Sequence, residues 1–83
     1  MAKTIELKAW PEYFADVLSE AKTFEARVDD RDFAVGDLLI LREWDPATGY
    51  TGRKTERRIS YILKGGEFGI AKGWAILAIK GEL

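Results

Sequence analysis

Polar and apolar residues alternate over residues 3–9, where Ile5 and Leu7 are separated by Glu6 and flanked by Thr4 and Lys8. A period of two puts successive side chains on opposite faces of an extended chain, so this segment predicts a half-buried first strand. Trp10-Pro11 ends it. Proline suits the first turn of a helix, Glu12 complements the positive end of the helix dipole, and Tyr13, Phe14, Val17 and Leu18 fall on one stripe. These features predict a helix from 11 to 19 or 20.

Alternation resumes over 23–28, with Phe24, Ala26 and Val28 on one face and Thr23, Glu25 and Arg27 on the other. The carboxylate and the guanidinium therefore share a face. Asp29-Asp30-Arg31-Asp32 reads as a charged loop, and Val35-Gly36-Asp37 as a turn that launches the next strand. That strand, 37–44, carries Leu38-Leu39-Ile40-Leu41, apolar on both faces, which predicts a covered central position. Asp45-Pro46-Ala47-Thr48-Gly49 is a turn sequence and predicts a hairpin between Trp44 and about Thr51. Over 55–63, Ile59, Tyr61 and Leu63 are expected to face inward, with Arg58 and Ser60 outward and Ile62 covered by the helix or a loop. Gly65, Gly66 and Gly69 bracket Glu67-Phe68 in a loop open to positive φ, and 74–80 reads as the closing strand.

One helix and five strands, mainly antiparallel, cannot lie as an open sheet in so short a chain without exposing an apolar face. The expected fold is α+β and β-dominated: a mixed, mainly antiparallel β-barrel closed by one N-terminal helix. With 83 residues, one domain spanning 1–83 and one core are expected, and nearly all ten aromatic residues are expected to contribute to that core.

Charge and composition narrow the chemistry. Thirteen basic residues against fourteen acidic ones argue against a protein that grips a duplex by its overall field, while leaving room for a local basic patch. The chain has no cysteine and no histidine, which removes disulfides, the usual zinc sites and every Cys/His or Ser/His nucleophile arrangement. Asp29, Asp30 and Asp32 lack the glycine and terminal glutamate of an EF-hand loop, and Gly65-Gly66-Glu67-Phe68-Gly69 lacks the Gly-Lys-Ser/Thr ending of a P-loop. No metal and no cofactor are expected. The start of the chain has no apolar run of the signal-peptide kind and the longest apolar stretch spans only residues 38–41, so no membrane association and a cytoplasmic address are expected.

Lys22, Glu25 and Arg27 supply a point cation, an acceptor and a planar donor fork within one short strand, a combination suited to a phosphate and a base edge. The alternative for the same three is an ion pair closing the barrel mouth beside the helix. Arg53, Lys54, Arg57 and Arg58 could track phosphates or merely charge an edge strand against unwanted pairing. Trp10, Trp44, Trp74 and Tyr61 could stack on unpaired bases or pack the core, and Trp44, at a strand end, is the strongest candidate for stacking.

The stretch Lys22-Thr23-Phe24-Glu25-Ala26-Arg27, followed by Val35-Gly36-Asp37 and an apolar strand, resembles the signature of ASCH domains in the PUA-like superfamily. From Leu7 to Gly69 the chain is similar to a small bacterial and phage group within ASCH that carries a domain-of-unknown-function label. The similarity runs through Pro11-Glu12-Tyr13-Phe14, Asp30-Arg31-Asp32-Phe33, Asp45-Pro46 and Gly65-Gly66-Glu67-Phe68-Gly69. Glu20 stands where the family usually has glycine, and Glu6 where the group often has histidine.

The resemblance implies a PUA-like barrel with a cleft beside the helix that binds RNA or a nucleotide-like ligand. The implied ligand set is Lys22, Glu25 and Arg27, with Tyr61 as a wall and Arg31 and Trp44 nearby. It also offers an alternative, since one ASCH branch resembles amidohydrolases acting on acylated cytidine through a lysine and a threonine. Lys22 and Thr23 would take those roles here, although Glu25 stands where that branch has its catalytic threonine, which favours binding over catalysis. A third reading is a protein-interaction or phage accessory domain without a small ligand.

Overall fold

The computed structural model describes residues 2–81; Met1, Glu82 and Leu83, at the ends of the expected domain, lie outside the described residues. The elements run β1 (Thr4–Ala9), α1 (Pro11–Leu18), β2 (Phe24–Val28), β3 (Leu38–Asp45), β4 (Gly49–Lys64) and β5 (Trp74–Lys80). They form one five-stranded sheet in the order β1-β3-β4-β5-β2. β1 and β3 are parallel and the other three ladders antiparallel.

The sheet curls into a half-barrel, and β4 is the reason. Its first half pairs with β3 and its second half with β5, while Arg58 sits in both ladders. Irregularities bend it at two points. Near Gly52, at φ 94°, the β3–β4 register shifts between Arg42 and Trp44, and near Ser60 the β4–β5 register shifts between Ile59 and Tyr61. Among the described residues, the expected closure of the barrel is not made by main-chain ladders. β1 and β2 are the two edges of the sheet, and the helix packs on β3.

The core lies on the concave side: Ile5, Leu7 and Ala9 from β1, Leu39 and Leu41 from β3, Ile59 from β4, Ala75, Leu77 and Ile79 from β5, with Phe14 and Val17 from α1 and Phe33 from a loop. Burying each of the Val, Leu, Ile and Phe side chains stabilises the fold by about 1.5–3 kcal/mol relative to exposure. Of the expected helix stripe, Phe14 and Val17 are buried, whereas Tyr13 and Leu18 stay largely exposed.

Two further expectations are corrected. The ten aromatics do not nearly all enter the core, since Trp10, Tyr13, Phe24, Tyr50, Tyr61, Phe68 and Trp74 are exposed. Tyr61 does not point inward. The extra residue at Ser60 inverts the alternation after Ile59, so Ile62 packs against the core and Tyr61 is 63% exposed.

Polar groups fix the remaining geometry. Arg53, Lys54 and Arg57 lie on the half of β4 that pairs only with β3, Arg58 lies where the two ladders meet, and three of these four hold other elements in place. The Arg53 guanidinium covers the Phe14 ring at 5.1 Å and approaches the buried Glu43 carboxylate, which accepts from Thr51 Oγ1 at 2.7 Å. Arg57 Nη2 donates to the Val17 carbonyl at the helix C-terminus, and Arg58 Nη1 to the Gly36 carbonyl. Asp37, 1% exposed, accepts from the Lys3 amide at 3.0 Å, the Lys3 ammonium at 2.7 Å and the Ala34 amide at 3.0 Å. Burial pushes its carboxyl up, but the Lys3 and Ala34 donors outweigh that and hold it below its ordinary value of 3.8. Among the described residues no helix is long and apolar enough to cross a membrane.

Candidate functional site

On β2 the apolar face is the exposed one. Phe24, Ala26 and Val28 are exposed, while Glu25 is 4% exposed and Arg27 half-buried. A carboxylate taken out of water is costly unless it is paired, and here both oxygens are engaged. Lys22 Nζ donates to Oε1 at 2.7 Å, and Arg27 Nε donates to Oε2 at 3.1 Å. Each cation is also held by backbone. Lys22 Nζ donates to the Phe24 carbonyl at 2.7 Å, and Arg27 Nη2 to the Lys8 carbonyl at 2.6 Å.

The last of these hydrogen bonds crosses the open side of the half-barrel. β2 and β1 are the sheet's two edges, so the Arg27 guanidinium joins strands that no ladder joins among the described residues. The same seam holds a cleft of about 510 Å³. Trp10, Tyr13, Phe24 and Trp74 line it together with Lys8, Lys22, Glu25 and Arg27. Trp10 and Tyr13 stack with their centroids 6.5 Å apart, because Trp10 is the residue preceding α1 and Tyr13 lies in its first turn. The Lys22 ammonium stands 5.0 Å from the centre of the Phe24 ring.

Chemically, the cleft offers flat apolar faces and donors anchored on a buried acceptor. Glu25 spends its acceptor capacity inside the protein, so its role is to hold two cations. Arg27 Nη1 has no partner among the described residues and remains available to donate.

The structure thus brings Lys22, Glu25 and Arg27 to one cleft and distributes the other predicted residues elsewhere. Thr23 lines a separate hollow at the C-terminal end of α1, with Val17, Glu20 and Arg57; Lys22 borders both hollows. Arg31 lies farther along the seam and borders two smaller hollows next to Arg27. Trp44 is half-buried, and its ring lies 4.5 Å from the Lys8 ammonium. Tyr61 lines none of these hollows. Among the cleft residues that sequence reasoning missed are Tyr13, Phe24 and Lys8. The first two fit an amphipathic pattern as core positions, and Lys8 is one polar residue among many in an alternating strand.

A family model described as a domain of unknown function, DUF3850, matches residues 4–79. The chain belongs to the DUF3850 family. All cleft-lining residues of this DUF3850 chain fall inside the matched segment. The chain is also 47% identical over 62 residues to the "Uncharacterized 12.9 kDa protein in GpA 3′region" of Escherichia phage P2, an overlap covering 75% of this chain and 56% of that protein. The DUF3850 chain therefore spans little more than half the length of this curated relative. The expected likeness to a domain-of-unknown-function group with phage members holds at this level.

Proposed function

We propose that this DUF3850 chain is an ASCH-like, PUA-like module that binds RNA or a nucleotide-like ligand, with an unpaired base held in the cleft between α1 and β2. One observation carries the reading: an aromatic-walled cleft of about 510 Å³ opens onto two cations anchored on a buried carboxylate. Every base has a π face, so Trp10, Tyr13, Phe24 and Trp74 suit stacking, which contributes about 1–3 kcal/mol per base. The free Nη1 of Arg27 suits an acceptor on a base edge or a phosphate. The resemblance of residues 22–27 to the ASCH signature supports the same assignment.

Amidohydrolysis of an acylated cytidine has less support. Lys22 Nζ, which would serve as nucleophile or base, is occupied by Glu25 Oε1 and the Phe24 carbonyl, and Thr23 lines the other hollow. The phage relative's name assigns no activity that would favour an accessory-domain reading.

The test is a titration of mixed-sequence single-stranded RNA followed by tryptophan fluorescence. Arg27→Ala and Trp74→Ala are each expected to weaken binding by about 5- to 150-fold, equivalent to about 1–3 kcal/mol. Undiminished affinity in both variants, once each is seen to fold, would discard the cleft as the binding site.

A further inference from the structure

The aromatic cleft is one of three adjoining hollows along the β1–β2 seam, and Arg27 lines all three. The hollow over β1 has a different chemistry from the cleft. Its volume is about 320 Å³, and its charged lining consists of Lys8, Arg27, Arg31 and Arg42 against the single carboxylate of Glu6. In a chain whose formal net charge is only −1, four cations around one small concavity are a local concentration that overall composition does not supply.

Their positions follow from the fold. Lys8 and Arg42 are register partners in the parallel β1–β3 ladder, so both project from the same face of neighbouring strands. Aromatic rings hold them there. The Lys8 ammonium lies 4.5 Å from the Trp44 ring and 6.0 Å from that of Tyr50, and the Arg42 guanidinium lies 4.0 Å from the Tyr50 ring. Arg27 and Arg31 reach in from the opposite edge. Their anionic neighbours are weak competitors, since Arg42 meets Glu6 at 3.5 Å and Arg31 meets Asp30 at 3.9 Å, with both carboxylates largely exposed and the two guanidinium side chains 38% and 50% exposed.

We propose that the ligand is bound in two parts, with a base in the aromatic cleft and the adjacent phosphate or phosphodiester in the groove formed by Lys8, Arg27, Arg31 and Arg42. This rests on the nucleotide-binding reading above and adds which end of the ligand lies over β1. Arg27 and Lys8 line both hollows, so they sit where base and phosphate meet. Trp44 serves as a positioning residue for Lys8 and not as a stacking platform.

Salt dependence of binding separates the two parts, because each phosphate neutralised on a single strand steepens the slope of log K against log salt by about 0.7, whereas stacking leaves it unchanged. The probe is a mixed-sequence single-stranded RNA hexamer, titrated at several salt concentrations against the wild type, Arg31→Gln/Arg42→Gln and Trp74→Ala. The double variant is expected to lose affinity and to flatten the slope by about 0.7 for each phosphate no longer neutralised, up to about 1.4. Trp74→Ala is expected to lose affinity at an unchanged slope. Wild-type affinity and slope in the double variant, with Trp74→Ala still weakened, would overturn the phosphate groove while leaving the base cleft standing. Absence of RNA binding by the wild type would instead remove the reading on which the groove depends. Arg31→Glu serves as a check that does not rely on the double variant, since charge reversal at this exposed side chain should weaken binding further; no added loss would count against the groove.

Discussion

Arg27 Nε lies 3.1 Å from Oε2 of Glu25, two residues earlier on β2, and the carboxylate it meets is 4% exposed. Because the same guanidinium donates through Nη2 to the Lys8 carbonyl of β1, a buried acid on one edge strand fixes the bridge to the other. The seam of the half-barrel is therefore closed by side-chain chemistry where main-chain pairing stops, and the candidate ligand cleft lies beside that closure.

Removing the acid should cost stability as well as binding geometry. Glu25→Ala leaves Lys22 and Arg27 without their shared anchor, and loss of one partner of a fully buried pair costs about 3–5 kcal/mol. Both cations are partly solvated here, with side chains 18% and 27% exposed, so a loss of about 2 kcal/mol is expected in urea denaturation. Glu25→Gln, which keeps the shape and one acceptor, should lose less. A Glu25→Ala midpoint indistinguishable from wild type would show that the pair does not hold the seam.

Glu20 carries a backbone conformation suited to another residue. It follows the last turn of α1 at φ 65°, where its amide donates to the Val17 carbonyl at 3.1 Å. A side chain in this left-handed region costs about 1 kcal/mol, and glycine is the residue that helix ends commonly use there. Glu20→Gly is therefore expected to raise stability by about 0.5–1 kcal/mol, seen as a melting-temperature rise of about 2–8 °C. A lower melting temperature would mean that the Glu20 side chain contributes more than its backbone costs.

Asp37 should make stability depend on acidity. Burial raises its carboxyl, the Lys3 and Ala34 donors lower it further, and the net position is below 3.8. A depressed native pKa gives stabilisation that is complete above the unfolded value and is lost as the pH falls through the native one. Asp37→Asn should thus be less stable than wild type at pH 7 by about 1–3 kcal/mol, and the gap should narrow as the pH falls below about 4. Denaturant midpoints of both proteins at neutral and acid pH check this; a gap independent of pH would refute the linkage.

The sequence by itself determined the inventory of elements. Period-two alternation located β1 and β2, the doubly apolar runs located β3 and β5, and Trp10-Pro11 and Asp45-Pro46 marked the start of α1 and the hairpin, because these signals depend only on neighbours a few residues apart. It also put Glu25 and Arg27 on one face of one strand. Which face of β2 turns inward, by contrast, was a tertiary decision. Alternation alone separated Phe24 from Glu25 without saying which face turns inward, whereas the edge position of β2 across the seam from β1 buries Glu25 and leaves Phe24 to wall the cleft. The orientation of Tyr61 escaped local reading for the same reason, since the bulge at Ser60 arises where β4 turns from one ladder to the next. Lys8, Arg42 and Arg31 look like scattered surface charges in the chain. They become one groove only because a parallel ladder sets β1 against β3 and the sheet curls far enough to bring its two edges together, and no local pattern encodes the meeting of residues so far apart.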